Sequence, residues 1–362
     1  MSASSYHRRR AAQIENDLIR VTVTVEGGHV AEILHKATRV NPLWLPPWPS
    51  IEPSSHDPAK HPEYGADAES RLLSGILGHN ICLDLFGPPS PDEAAVGMTV
   101  HGEAPVAPYD VRPVDGDPLA LRFTTTLLQA QLRFERQVAL TPTTNVVVFS
   151  ETVENLTAWD RPVAWTQHVT LGPPFLERCQ TTFRVPATRS KVVEEPFDND
   201  LGLQLTGAEF LWPFCPRKDG KQDDFRVFTS ESISGGFTTH LMDPACDHAY
   251  FMAWSPASKV VFGYVWNRAD FPWLGRWEEN HLRADPPWNG NALTCGMEFG
   301  VSPIAESRRQ MIDRGTLFGI PGYRWIPARS RVSVRYCAFI ATCDAIPDSV
   351  EWDGGSRIEL VP

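Results

Sequence analysis

The chain has 362 residues, a formal net charge of −11 and an isoelectric point of about 5.5. That length allows one large all-β domain or two ordinary ones and is ample for a full core. The acidic balance argues against nucleic acid or an anionic membrane as partner and favours a small, neutral ligand. The seven scattered cysteines include no CxxC pair, which fits reduced thiols in a cytoplasmic protein rather than a disulfide framework or zinc site. No apolar run follows Arg8-Arg9-Arg10, so no signal peptide is expected. No run of about 18 apolar residues predicts a membrane span.

Strand signals dominate the chain. Residues 18–25 alternate apolar and polar, turn at Gly27-Gly28, and continue as a second strand over 29–35, which predicts a hairpin. Further strands are predicted over 121–128, 132–140, 145–153, 163–170, 249–254, 260–266, 293–299 and 331–340, many of them rich in Val, Thr and Phe. A helix signal stands at Ser302-Pro303 followed by 304–314, with Gly315 beyond its end. Residues 42–67, rich in Pro, Trp, Ser and His, read as a long ordered loop, and loops of that length in compact domains are often functional. Residues 88–93 and 191–200 read as further loops. No repeat, low-complexity tract or linker is evident. The expectation is a large antiparallel β-sandwich with two sheets face to face.

Three segments carry chemistry. His168 ends a β-like run before Gly172-Pro173-Pro174, where its ring can face a cavity. Glu298 lies within the apolar run Gly296-Met297-Glu298-Phe299-Gly300, and burial of a carboxylate is expensive without a purpose or partner. His101 precedes Gly102, where backbone can approach a ligand closely. A histidine and a buried carboxylate can divide acid and base work on one small substrate. The bland readings are a core histidine, an arginine-paired strand carboxylate and a turn histidine. Residues 271–281 are dense in Trp and charge, with Trp288 close behind, and suit either one wall of a sugar pocket or a surface loop. Most of the twelve tryptophans belong to the core on general grounds.

The order of these features resembles the aldose 1-epimerase (galactose mutarotase) family. The opening Ile14-Glu15-Asn16-Asp17-Leu18-Ile19-Arg20-Val21, then Gly27-Gly28 and Glu32-Ile33, looks like its first hairpin. His101-Gly102 is similar to its His-Gly motif. Asn155-Leu156-Thr157, Pro162 and His168 resemble its passage into the acid histidine, and Asp247-His248-Ala249-Tyr250 its Asp-His segment. Glu298 falls where the catalytic glutamate would stand. The resemblance implies one galactose mutarotase-like sandwich over residues 1–362. It implies a cofactor-free isomerase of carbohydrate metabolism, with Glu298 as base, His168 as acid and His101 beside them. Val169-Thr170-Leu171-Gly172-Pro173-Pro174-Phe175 departs from the family's Pro-Tyr-Phe-Asn-Leu, and Gly78-His79-Asn80-Ile81 lacks its sugar-binding arginine. The chain therefore resembles a divergent branch, in which His79 and Asn80 replace that arginine as hydroxyl donors, with Asp247, Trp277 and Trp288 completing the sugar contacts.

Two other readings stand beside this one. A carbohydrate-binding protein would keep the cleft and lose turnover. A cupin-like metal enzyme would use His79, His101 and His168 as ligands, although their spacing lacks the i, i+2 or i, i+4 pattern of such sites. The expected partner is a small-molecule carbohydrate, bound by a monomer or homodimer.

Overall fold

A computed structural model describes residues 4–362 except 196 and 199. Strands hold 47% of the chain and helices 7%, so the expectation of a β-sandwich with little helix stands. The larger sheet has twelve strands. Its centre runs, in spatial order, Val30–His35, His79–Asp84, Arg161–Leu171, Leu293–Gly300, Trp273–Asn280 and Ser234–Met242. Each neighbouring pair is antiparallel. The smaller sheet has eight strands, with Val260–Asn267, Arg331–Thr342 and Val146–Asn155 at its middle.

Alternation along each strand decides what faces what. In Arg161–Leu171, Trp165 and Val169 enter the core between the sheets, as do Met297 and Phe299 of Leu293–Gly300. His168 and Glu298 therefore face away from the second sheet. A second apolar cluster, including Trp44, Phe237, Trp277 and Trp288, covers that outer face. The cleft is built there.

The core also holds a polar network. Arg136 pairs with Glu151 at 2.7 Å and donates to Gln167 at 3.0 Å, while Trp165 and Tyr336 also donate to Glu151. Buried charges of this kind persist only when paired and fully hydrogen-bonded.

Two expectations change. Residues 271–281 are not a loop: Trp273–Asn280 is a central strand buried along its whole length. Its charges disguised it, because Arg276 and Glu278 lie on one face and neutralise each other at 2.8 Å inside the protein. The helix signalled over 304–314 spans only Arg308–Arg314. Ser307 and Gln310 form a reciprocal capping box that fixes the later start, and Gly315, at φ +65°, ends it. Residues 304–306 line the cleft instead. Among the described residues, no helix is long and apolar enough to cross a membrane.

Candidate active site

His168 and Glu298 are direct register partners on neighbouring strands, so their side chains stand side by side on the outer face. His168 Nε2 lies 3.1 Å from Glu298 Oε1. The contact is not aligned as a hydrogen bond, and Glu298 Oε1 has no other partner among the described residues. On the other side of the ring, His168 Nδ1 is 3.0 Å from the Thr170 hydroxyl. The two groups expected to divide acid and base work thus stand in direct contact.

Gly296 makes this arrangement possible. It sits opposite Trp277 on the adjacent strand, and a Cβ there would collide with Glu298 Oε1. The hydrogen side chain leaves the space the carboxyl occupies.

His101 closes one side, its ring centroid 4.9 Å from that of His168. It has a left-handed backbone, φ 70°, and its carbonyl accepts from the Leu83 N–H at 3.0 Å. Gly102 follows at φ 83°, where a Cβ would strike the Leu83 carbonyl. His101 Nδ1 donates to the Phe86 carbonyl at 2.6 Å, which leaves Nε2 as an unprotonated acceptor while the ring is neutral.

Burial dominates the electrostatics. It holds Glu298 well above the usual carboxylate range. It also lowers His168 far below the ordinary histidine value, with neighbouring His101 adding to the effect. Burial brings His101 down to about 4. At neutral pH the floor of the cleft thus favours uncharged forms of all three groups.

The cleft encloses about 720 Å³, room for a sugar. Trp277, Trp288, Phe237 and Phe86 line it. Trp277 packs edge-on against His168, with centroids 5.8 Å apart, and Trp288 stacks on Trp44 at 6.0 Å. The Arg283 guanidinium lies 4.8 Å from the Trp288 ring and 3.8 Å from Glu69. Besides Glu298, the lining holds Glu69, Glu194, Glu195, Asp198, Glu306 and Asp313 against two cations, Arg283 and Arg314. Arg314 is already engaged, by Glu194 and Glu306.

Five residues named from the sequence line this one cleft: His101, His168, Glu298, Trp277 and Trp288. Trp273, the other tryptophan considered for the wall, is buried in a separate apolar cluster. Asn80 is the register partner of His168, fully buried, with neither amide atom hydrogen-bonded to a described residue.

His79 is not on the cleft. It points between the sheets, where Nε2 donates to Gln167 Oε1 at 3.0 Å and Nδ1 accepts from Tyr264 at 2.9 Å. This also removes the three-histidine metal reading, because His79 and His168 occupy opposite faces of one sheet. Asp247 is corrected too: it is exposed in the turn before His248–Ser255 of the smaller sheet and does not line the cleft. Phe237, Phe86, Arg283 and Glu69 were not singled out from the sequence. Arg283 alone left a trace there, two residues beyond the Trp-rich segment.

No family model matches the chain, and no curated protein matches it. Solved structures do. A putative aldose 1-epimerase from Klebsiella pneumoniae superposes with a TM-score of 0.67 at 14% identity, covering 94% of this chain and 82% of that one. A galactose mutarotase-like protein from Clostridium acetobutylicum gives 0.62 at 12% identity, with coverage of 94% and 98%. A galactose mutarotase related enzyme from Lactobacillus acidophilus gives 0.60 at 12%, with coverage of 92% and 97%. At such identities the shared feature is the fold, and this chain is built on the galactose mutarotase-like β-sandwich.

Proposed function

We propose that the protein is an isomerase that interconverts the anomers of an uncharged aldose by acid–base opening of the sugar ring, without a cofactor. One observation carries the reading: a buried imidazole and a buried carboxyl, neither paired with a lysine or arginine among the described residues, stand together on the floor of an aromatic cleft. Ring opening needs one group to take the C1 hydroxyl proton while another gives a proton to the ring oxygen. His101 Nε2 supplies an acceptor for a further hydroxyl, and the faces of Trp277 and Trp288 suit the C–H face of a pyranose. The fold neighbours, described as a putative aldose 1-epimerase, a galactose mutarotase related enzyme and a galactose mutarotase-like protein, agree with this chemistry. The excess of carboxylates along the cleft favours a substrate without negative charge.

A second reading has its own support. The 3.1 Å contact between His168 and Glu298 leaves no space for a ring between them. A sugar-binding protein without turnover would tolerate that contact, whereas an enzyme must approach the pair from above or part it. The deciding experiment is polarimetry or NMR exchange across common aldoses, alongside calorimetric binding. Accelerated anomer exchange that disappears in Glu298→Gln supports the isomerase. Binding of a sugar by folded protein with no exchange on any aldose supports the binding module.

A further inference from the structure

The cleft is larger and more apolar than a free hexose requires. We propose that its ligand is an aldose bearing an apolar group on the end of the ring remote from C1, such as an acetal or ether of the sugar, and not a fully hydroxylated hexose. This deepens the aldose reading and rests on it for the seating of C1.

Groups able to bond a sugar hydroxyl stand at two levels. On the floor are the His168–Glu298 pair and His101 Nε2, with the Asn80 amide fully buried beside His168. At the mouth are the carboxylates, and the donors among them are engaged. Arg314 is bound by Glu194 and Glu306, Gln310 bonds to Glu195, and Arg283 is shared between Glu69 and Trp288. Between the levels the wall is apolar. Phe86 lies on His101 with ring centroids 6.1 Å apart, and Phe237 packs edge-on against Phe86 at 6.0 Å. Phe237 and Glu298 both border the space above Gly275, so this aromatic wall rises directly from the floor. Leu73, Val193 and Ile304 continue it. Each is less exposed than a carboxylate of the mouth on its own segment: Glu69 for Leu73, Glu194 for Val193 and Glu306 for Ile304.

An aldose seated with C1 at the floor pair projects its far carbons against this wall. A hydroxyl buried there gives up water and meets no side-chain donor or acceptor from these apolar residues, which costs free energy. An apolar substituent gains from the same burial. The volume agrees. About 720 Å³ suits a drug-sized ligand, and one hexose leaves much of it unfilled. A second sugar ring would fill the space but would bring more hydroxyls to the same wall.

Calorimetric titration of the wild-type protein tests this with sugars that all keep a free C1 hydroxyl: D-glucose, D-galactose, the 4,6-O-benzylidene acetal of each, and maltose. In the gluco or the galacto series the acetal should bind at least about tenfold more tightly than its parent, as burial of one phenyl ring predicts, and more tightly than maltose. Val193→Thr, an isosteric change at a half-buried position, should cut that preference about threefold, and so should Ile304→Thr, with folding of each verified by thermal melting. Four results would each overturn the proposal: no binding of any of these sugars, acetals no tighter than their parents in both series, maltose as tight as the better acetal, or a preference unchanged in folded Val193→Thr. Preference for an acetal without anomer exchange would sustain the proposal and remove the isomerase reading. Exchange on the parent sugars without that preference would do the reverse.

Discussion

His79 and Asn80 are consecutive in sequence and serve opposite faces of one sheet. His79 bonds to Tyr264 and Gln167 between the sheets, whereas Asn80 lies beside His168 on the cleft side. Their substitutions should therefore separate stability from turnover. His79→Ala leaves the Tyr264 hydroxyl without its partner and opens a void, so stability should fall by about 2–5 kcal/mol while turnover per folded molecule holds. Asn80→Ala removes no hydrogen bond, so stability should stay within about 1 kcal/mol of wild type. Its effect should appear in KM or kcat. Denaturant melts combined with kinetics on each variant check the pair, and a loss of turnover in folded His79→Ala would contradict the placement.

If the protein exchanges anomers, Glu298→Gln should remove nearly all activity, because an amide neither gives nor takes the proton. His168→Asn or His168→Gln should cost on the order of 10²–10⁴-fold. Both variants should stay folded, since Glu298 makes no hydrogen bond to a described residue and His168 bonds only to the neighbouring Thr170 hydroxyl, and sugar binding to Glu298→Gln should survive. Chelator should leave the rate unchanged, because each proton transfer is assigned to a side chain.

Gly296→Ala tests the floor from beneath. The new methyl would occupy the position of Glu298 Oε1 and displace the carboxyl from His168. The backbone there is ordinary strand, so the fold should persist. A shift of this size in a reacting group should lower kcat about 10²-fold. Unchanged kcat in a folded variant would mean that the position of the carboxyl does not matter.

The sandwich was legible because period-2 alternation survives wherever one sheet face is apolar, as over 132–140 and 331–340. Trp273–Asn280 escaped because its charged residues satisfy one another inside the protein, which sequence alone reads as exposure. Ser234–Met242, which carries Phe237 to the cleft, escaped because Gly235-Gly236 resembles a turn. Those glycines instead make room for Leu282 and Gln204, which lie distant in sequence. The motif residues His101, His168 and Glu298 were readable from chain order. His79 was misplaced because a one-residue step in a strand changes its face, and no local signal says which of two adjacent polar residues is bonded inside the core. The rim, from Glu69 to Asp313, is assembled from separate loops and the helix Arg308–Arg314 and has no linear pattern.

His240 gives a pH test away from the cleft. It is bonded to Ser190 and Thr238, and burial, reinforced by the positive charge of Arg276, lowers it to about 3. The folded state keeps the ring neutral, whereas the unfolded chain protonates it below about 6.5. Its contribution is therefore complete above that value and is lost as pH falls toward the folded value. The stability advantage of wild type over His240→Gln should shrink by about 2 kcal/mol between pH 7 and pH 5. Equal differences at the two pH values, measured by urea unfolding, would show that the ring is not held neutral.

The last prediction concerns charge selection. Six carboxylic side chains surround the cleft above Glu298, while Arg314 is bound by Glu194 and Glu306, and Arg283 is shared between Glu69 and the indole of Trp288. A phosphate or uronate brought into this field meets repulsion without a free guanidinium to receive it. A neutral aldose should therefore bind at least tenfold more tightly than its 6-phosphate or its uronic acid, and the difference should narrow as salt rises and screens the rim. Glu195→Gln with Asp198→Asn, two lining carboxylates outside the proton-transfer pair, should narrow it further while leaving kcat on the neutral sugar unchanged. Calorimetric titrations of a neutral aldose and its 6-phosphate at two ionic strengths measure both effects. Tighter binding of the phosphate would mean that Arg283 leaves the tryptophan to meet it, and the cleft would then belong to a sugar-phosphate enzyme.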